Sequence, residues 1–171
     1  MVETLSIIGI TLFSLYIIAS LAMWGIPTSI SETYYLWNNK LPKFSWLFRL
    51  VFVVTGFLLI IPMLSLSEGS VWEFTSFIAA AGLIFTGAAA DFKHEDKVDK
   101  IVHPISAIIC AAAAILWEYF IAGTLGYMII SFVLCLILAL ITRSLKRSYT
   151  FWIEIPCFIS IFCCIINILF F

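Results

Sequence analysis

Apolar residues occupy six long stretches of the chain, and short polar segments separate them. A transmembrane helix needs about 20 predominantly apolar residues, within a range of about 17–25. The pattern therefore predicts an all-α membrane protein in which six transmembrane helices form one bundle with short loops. The predicted spans cover residues 5–26, 46–66, 74–90, 101–122, 124–142 and 149–171.

Composition agrees with a membrane location. Hydrophobic residues make up 64% of the 171 positions and charged residues 11%, with a mean hydropathy of +1.16. A soluble domain usually carries about 25% charged residues, so this chain lacks the polar side chains that a water-exposed surface requires. The net charge of −1 and the absence of a nucleic-acid-binding motif argue against a nucleic acid partner. The length fits a single transmembrane helical domain, residues 1–171.

The basic residues set an orientation for the six spans. All of them fall in or next to the first, third and fifth connections, which lie on one side of the membrane if six spans are right. Basic loops are retained in the cytoplasm. We therefore expect both termini on the non-cytoplasmic side of a cell or inner membrane. The nine residues are Lys40, Lys43, Arg49, Lys93, Lys97, Lys100, Arg143, Lys146 and Arg147.

The third connection contains both histidines of the chain. Asp91 and His94 are three positions apart, and Asp99 and His103 are four apart, so each pair would share one face of a helix. These four residues are weak candidates for a divalent metal site or a proton relay. The alternative is a solvated loop of alternating charges, which is the more common role of such a segment. No other cofactor is indicated.

Three further ionisable residues are predicted at the same membrane level as Asp91 and His103. Glu154 lies one to two turns into the last span, and an ionisable group inside a span is a functional candidate by default. Arg49, near the start of the second span, is the obvious countercharge, although the two could also form a purely structural pair. Glu32 belongs to the polar segment 27–35. The candidate ligand- or proton-binding residues are Glu32, Arg49, Asp91, His103 and Glu154.

Motifs of known enzyme classes do not appear in the sequence, which has no HExxH, no GxSxG and no P-loop. The order of a serine, an aspartate and a histidine is loosely similar to the multi-span metal hydrolases that include alkaline ceramidases and adiponectin-type receptors. That family's site requires three zinc-binding histidines, whereas this chain has two histidines in total. The resemblance covers isolated residues only, and it does not support membership.

Three functions remain open from the sequence. The first is binding or transport of a small solute, ion or lipid through a polar site at the cytoplasmic face. The second is an intramembrane enzyme that modifies lipids or hydrolyses with a metal. The third is an accessory subunit that packs against a membrane-protein partner or a second copy of the chain. A polar path past mid-membrane would favour transport, and a blind pocket open to lipid would favour an enzyme.

Overall fold

The computed structural model describes residues 1–91, residue 93 and residues 97–171, so the metal candidate His94 lies outside the described residues. Helices account for most of the described chain, and no strand occurs in it. Their bounds are α1 Val2–Trp24, α2 Glu32–Lys40, α3 Leu47–Leu66, α4 Glu73–Ala88, α5 Lys97–Ile121, α6 Gly126–Ile141 and α7 Tyr149–Phe170, with a 3₁₀ helix at Pro42–Phe44.

All six predicted apolar segments are helical, with ends that shift by a few residues. Four helices are long and apolar enough to cross a membrane: α1, α3 together with the preceding 3₁₀ helix, α5 and α7. The other two, α4 and α6, are apolar but have 16 residues each, or roughly 24 Å at 1.5 Å per residue. The all-helical class and a membrane location are therefore supported, whereas α2 and the 3₁₀ helix were not predicted.

Small residues let the central helices approach closely. A Cβ atom added at Gly82 of α4 would lie 2.8 Å from Cys110 Cβ and 2.9 Å from the Cys110 backbone nitrogen in α5. One added at Gly87 would lie 2.5 Å from Phe52 Cβ in α3. Helix α4 is thus packed between α3 and α5 through its glycines, as expected for helices that associate without a hydrophobic driving force. Helix α1 packs on α3, and α6 packs on α7.

Helix α2 is packed within one end of the bundle, beside α1, and does not lie on the outside of that end. The Tyr16 hydroxyl is 2.8 Å from Thr33 Oγ1, and the Trp37 indole donates to Ser20 Oγ at 2.9 Å. Tyr16 lies eight residues before the end of α1, which corresponds to a depth of roughly 12 Å. After α1 the chain therefore turns back into the bundle, and α2 runs outward beside the last two turns of α1.

The connections that follow α1, α4 and α6 meet at one end of the bundle. The Phe151 amide donates to the Thr28 carbonyl at 3.1 Å, and the Arg147 guanidinium donates to the Ile26 carbonyl at 3.0 Å. The Lys93 amide donates to the Tyr35 hydroxyl at 2.7 Å. These contacts bring Lys93 and Arg147, from two of the basic connections, to the end of the bundle where α2 lies.

At the opposite end, the acid Glu118 has a structural role. Its side chain is fully buried in α5, and its carboxylate accepts hydrogen bonds from the Met128 amide at 3.2 Å and from the Ser160 hydroxyl. Met128 is the third residue of α6, so Glu118 satisfies a backbone N–H that the helix itself leaves unpaired. A carboxylate at a helix N-terminus is also stabilised by the helix dipole.

Candidate functional site

The turn before α2 brings Ser31 against His103 of α5. His103 Nε2 lies 2.7 Å from Ser31 Oγ, and its Nδ1 lies 3.0 Å from the carbonyl oxygens of both Thr86 and Ala89. Carbonyl oxygens only accept, so the neutral ring must carry its proton on Nδ1. Nε2 is then an acceptor, and the Ser31 hydroxyl donates to it. The tautomer of His103 is thus assigned by its partners.

The two carbonyls belong to the C-terminal end of α4, which ends at Ala88. The last carbonyls of a helix have no intrahelical partner, so His103 satisfies two groups that would otherwise lack one. Helix C-termini also carry partial negative charge, which stabilises a nearby cation. The close packing at Gly82 holds α5 against α4 and so delivers His103 to this position.

Ser31 occupies the N-cap position of α2, yet its side chain makes no capping hydrogen bond. Ser29 performs that role, because its Oγ accepts from the Glu32 amide at 3.1 Å. The hydroxyl of Ser31 is consequently available to His103, and Ser31 is 8% exposed. Ser31 was not singled out from the sequence. The only sequence signal was the run of hydroxyl residues between the first span and Tyr34.

Glu154 meets the same turn from the opposite side. Its Oε2 accepts from the Ile30 amide at 2.6 Å, so the last span and the turn before α2 are joined directly. The countercharge expected from the sequence is not used. Arg49 is exposed, and its guanidinium carbon lies 5.8 Å from the centre of the Tyr34 ring. The partner of the half-buried acid is therefore a peptide N–H.

Glu32 and Asp91 form a second group around Tyr35. Within the described residues one ion pair occurs, between Glu32 and Lys93. The Tyr35 hydroxyl accepts from the Lys93 amide and also hydrogen-bonds to Asp91. Burial is the main cause that raises the pKa of Tyr35, and the nearby carboxylate raises it further. This tyrosine therefore remains a neutral donor and acceptor.

All five candidate residues from the sequence thus contact, or belong to, the short stretch 30–35. His103 and Glu154 hold its first two residues, and Arg49, Asp91 and Glu32 lie around its tyrosines. The sequence predicted that these residues share one level. It did not predict that a turn and a short helix lie between them.

The predicted metal site gains no geometric support. Among the residues that the structure describes, no group of three or more His, Cys, Asp and Glu side chains could hold a metal ion. Both ring nitrogens of His103 already have hydrogen-bonding partners. Asp99 lies one turn before His103 on α5. His94, which the sequence pattern paired with Asp91, lies outside the described residues.

A cavity of about 250 Å³ extends from this turn into the bundle, between α3, α4, α5 and α7. Its hydroxyl and carboxyl groups come from Ser31, Thr86 and Glu154, all at the end where α2 lies. From there the lining is apolar as far as Met63 on α3 and Ala114 on α5.

The cavity has an outward-facing rim. Ile108 of α5 and Ile153 of α7 line the cavity while being 68% and 54% exposed. Both helices are long and apolar enough to cross a membrane, so these side chains face the side of the bundle that would contact lipid. The arrangement combines an apolar chamber, a polar end and a side opening.

Chemically, the polar end offers a hydroxyl with a basic nitrogen beside it and a carboxylate that retains one oxygen for a ligand. It offers no cation from its lining residues.

No protein-family model, curated protein or solved structure matches this chain.

Proposed function

We propose that the protein binds an amphipathic, lipid-like molecule in the cavity, with its polar group at Ser31, Thr86 and Glu154. The observation that supports this most is the distribution of polarity, since every hydroxyl and carboxyl group of the lining lies at one end. Ligand sites in proteins are typically apolar with a few placed polar groups.

The charge and size of the cavity narrow the ligand class. A carboxylate without a lining cation disfavours phosphate and free carboxylate groups, and it favours neutral headgroups that bear hydroxyl or ester oxygens. The volume of about 250 Å³ is below the usual range of small-molecule sites, about 300–1,000 Å³. One acyl chain fits this space better than two. We therefore favour a single-chain neutral lipid.

Access from the side supports a lipid over a water-borne solute. The exposed Ile108 and Ile153 at the rim lie on helices long enough to span, so the opening faces acyl chains. A transport path for a polar solute would need polar groups beyond the middle of the bundle. The lining toward Met63 and Ala114 provides none.

We further propose that α4 and α6 also cross the membrane, so that the chain has six spans with both termini outside. At roughly 24 Å each, they are shorter than a hydrocarbon core of about 30 Å, and a locally thinned bilayer accommodates such helices. The basic end then lies in the cytoplasm by the positive-inside rule. On this topology the polar end of the cavity belongs to the cytoplasmic leaflet.

The test is displacement of a fluorescent single-chain lipid from the purified protein in nanodiscs, with a monoacylglycerol as competitor. Ala111 lines the cavity, whereas its neighbour Ala112 is exposed and does not. Ala111→Phe should weaken binding at least ~10-fold, since filling the space removes over 1.4 kcal/mol of contact. Ala112→Phe should bind like wild type.

Two results would overturn the proposal. One is wild-type protein that neither binds the probe nor carries lipid detectable by native mass spectrometry, which would favour the accessory role. The other is equal binding by the Ala111→Phe and Ala112→Phe variants, which would place the lipid on the outer surface.

A further inference from the structure

We infer that Ser31 is a nucleophile and His103 its general base, so that the cavity hydrolyses an ester of the single-chain lipid. This inference rests on the proposed lipid binding. Its geometric basis is the 2.7 Å separation of Ser31 Oγ and His103 Nε2. A nucleophile and base within about 2.6–3.2 Å, with the base oriented by a third group, is the arrangement of covalent catalysis.

The third group here is the C-terminal end of α4. The carbonyls of Thr86 and Ala89 hold the Nδ1 proton, so Nε2 is the ring nitrogen that accepts from Ser31. In a Ser-His-Asp triad the aspartate fixes the tautomer and stabilises the imidazolium that forms. Two carbonyls and the negative end of a helix dipole supply the same two effects without a carboxylate.

Ser31 also has no competing structural task. Its hydroxyl does not cap α2, because Ser29 does, and it lines the cavity beside Glu154. A serine needed only for packing would not have to lie at the polar end of an apolar chamber. The ester carbonyl of a lipid whose chain follows the apolar wall would lie next to Ser31 Oγ.

The reaction balances with water as the second reactant. Ser31 Oγ attacks the ester carbonyl carbon while its proton passes to His103 Nε2, and the ester C–O bond breaks. The leaving alcohol takes the proton from Nε2, which leaves an acyl group on Ser31. Water then attacks this acyl group and gives a proton to Nε2. Ser31 Oγ leaves with that proton as the free fatty acid forms.

The experiment treats full-length protein in nanodiscs with an alkyl fluorophosphonate, which phosphonylates activated serines with loss of fluoride. We expect labelling on the peptide that contains Ser31. Ser31→Ala should abolish it, and His103→Gln should slow it by about 100-fold or more, the usual contribution of a general base. Ser45 does not line the cavity and has no role in the turn before α2, so Ser45→Ala should label like wild type.

Lipid displacement on the same samples separates the two proposals. Ser31→Ala protein that binds lipid but is not labelled supports both. Wild-type protein that binds lipid yet is not labelled at Ser31 overturns the nucleophile and leaves lipid binding intact. Labelling that persists at full rate in His103→Gln also overturns it. Labelling of Ser31 without lipid binding would instead overturn the proposed function.

A second variant guards against a fluorophosphonate that does not fit the cavity. In Ser31→Cys the introduced thiol should react with iodoacetamide faster than a buried thiol such as Cys164, because His103 withdraws its proton. Adding His103→Gln should remove that advantage, as quantified by peptide mass spectrometry. Equal rates with and without His103 would contradict the inference.

Discussion

His103 Nε2 lies 2.7 Å from Ser31 Oγ, although 72 positions separate the two residues. The contact joins α5 to the turn before α2, and Glu154 joins α7 to the same turn through the Ile30 amide. Irregular backbone at membrane depth is tolerated where it is buried in protein or lines a cavity. The turn at residues 30–31 satisfies both conditions, and it closes the polar end of the cavity.

The first prediction concerns the Glu154–Ile30 hydrogen bond. Glu154→Leu leaves the Ile30 amide buried without its acceptor, which costs about 1–3 kcal/mol of unfolding free energy. Glu154→Gln keeps a carbonyl oxygen that can accept from this amide, so it should lose less. Reversible unfolding in mixed detergent measures both. A Leu variant as stable as wild type would show that the bond contributes nothing to the fold.

Much of the fold could be predicted from the sequence because lipid exposure imposes a simple rule. Every backbone group in the hydrocarbon must be satisfied within its own segment, so long apolar runs become helices. The six predicted segments are helical for this reason. The confinement of basic residues to alternate connections is a similarly general pattern, since basic loops are retained on one side of the membrane.

The site was harder to predict because it depends on the chain turning back into the bundle after α1. The apolar pattern does not indicate this turn. The α2 sequence ETYYLWNNK is short and polar, so it lacks the long apolar pattern that predicted the other helices. Its burial comes from tertiary partners, namely Tyr16 and Ser20 of α1. Arg49 illustrates the same limit. Charge alone paired it with Glu154, whereas a backbone amide from the unpredicted turn is the actual partner.

The second prediction concerns Gly82. An alanine Cβ there would meet the Cys110 backbone, which cannot rotate away as a side chain can. Gly82→Ala should therefore separate α4 from α5, destabilise the protein by about 1–3 kcal/mol and loosen the His103 contacts. Gly126→Ala is the control. Its nearest neighbour is the Thr124 hydroxyl at 3.1 Å, and alanine favours a helix by up to ~1 kcal/mol.

Both glycine variants can be compared by unfolding and by lipid displacement. Gly82→Ala should be defective in both measurements, because the cavity wall includes Ala79, Ala80 and Cys110 around this contact. If Gly82→Ala matches Gly126→Ala in both, then the close approach of α4 and α5 is not needed for the cavity.

The third prediction concerns the Tyr35 hydroxyl. It accepts from the Lys93 amide and hydrogen-bonds to Asp91, so it fastens the segment after α4 to α2. Tyr35→Phe should cost about 1 kcal/mol and speed hydrogen exchange at the Lys93 amide. Exchange at the Ala89 amide, which bonds within α4, should not change. Unchanged exchange at Lys93 would mean that this hydroxyl does not order the segment.

The fourth prediction concerns the Glu32–Lys93 ion pair. It tests whether this pair only lies at the surface or takes part in lipid binding. Lys93 is 42% exposed at its side chain, and exposed pairs contribute about 0–1 kcal/mol. Glu32→Gln should therefore change stability by less than 1 kcal/mol and leave lipid binding at the wild-type level. A clear loss of binding would instead move Glu32 into the site, as the sequence first suggested.

Membrane topology makes the last prediction, with single cysteines placed at Val71, Lys97, Thr124 and Lys146, all exposed. The background lacks the native cysteines, which are Cys110, Cys135, Cys157, Cys163 and Cys164. If α4 crosses the membrane, an impermeant thiol reagent should label positions 71 and 97 from opposite sides. If α6 crosses, it should do the same for positions 124 and 146.

The sides themselves are also predicted. Positions 97 and 146 lie in basic connections, so they should react only from the cytoplasm. Labelling of 71 and 97 from one side would show that α4 does not cross, and the same result for 124 and 146 would exclude α6. Either outcome alone would leave five spans and put the two termini on opposite sides, and both together would leave four spans. The contacts among Ser31, His103 and Glu154 would stand, but the leaflet from which a lipid reaches them would have to be reassigned.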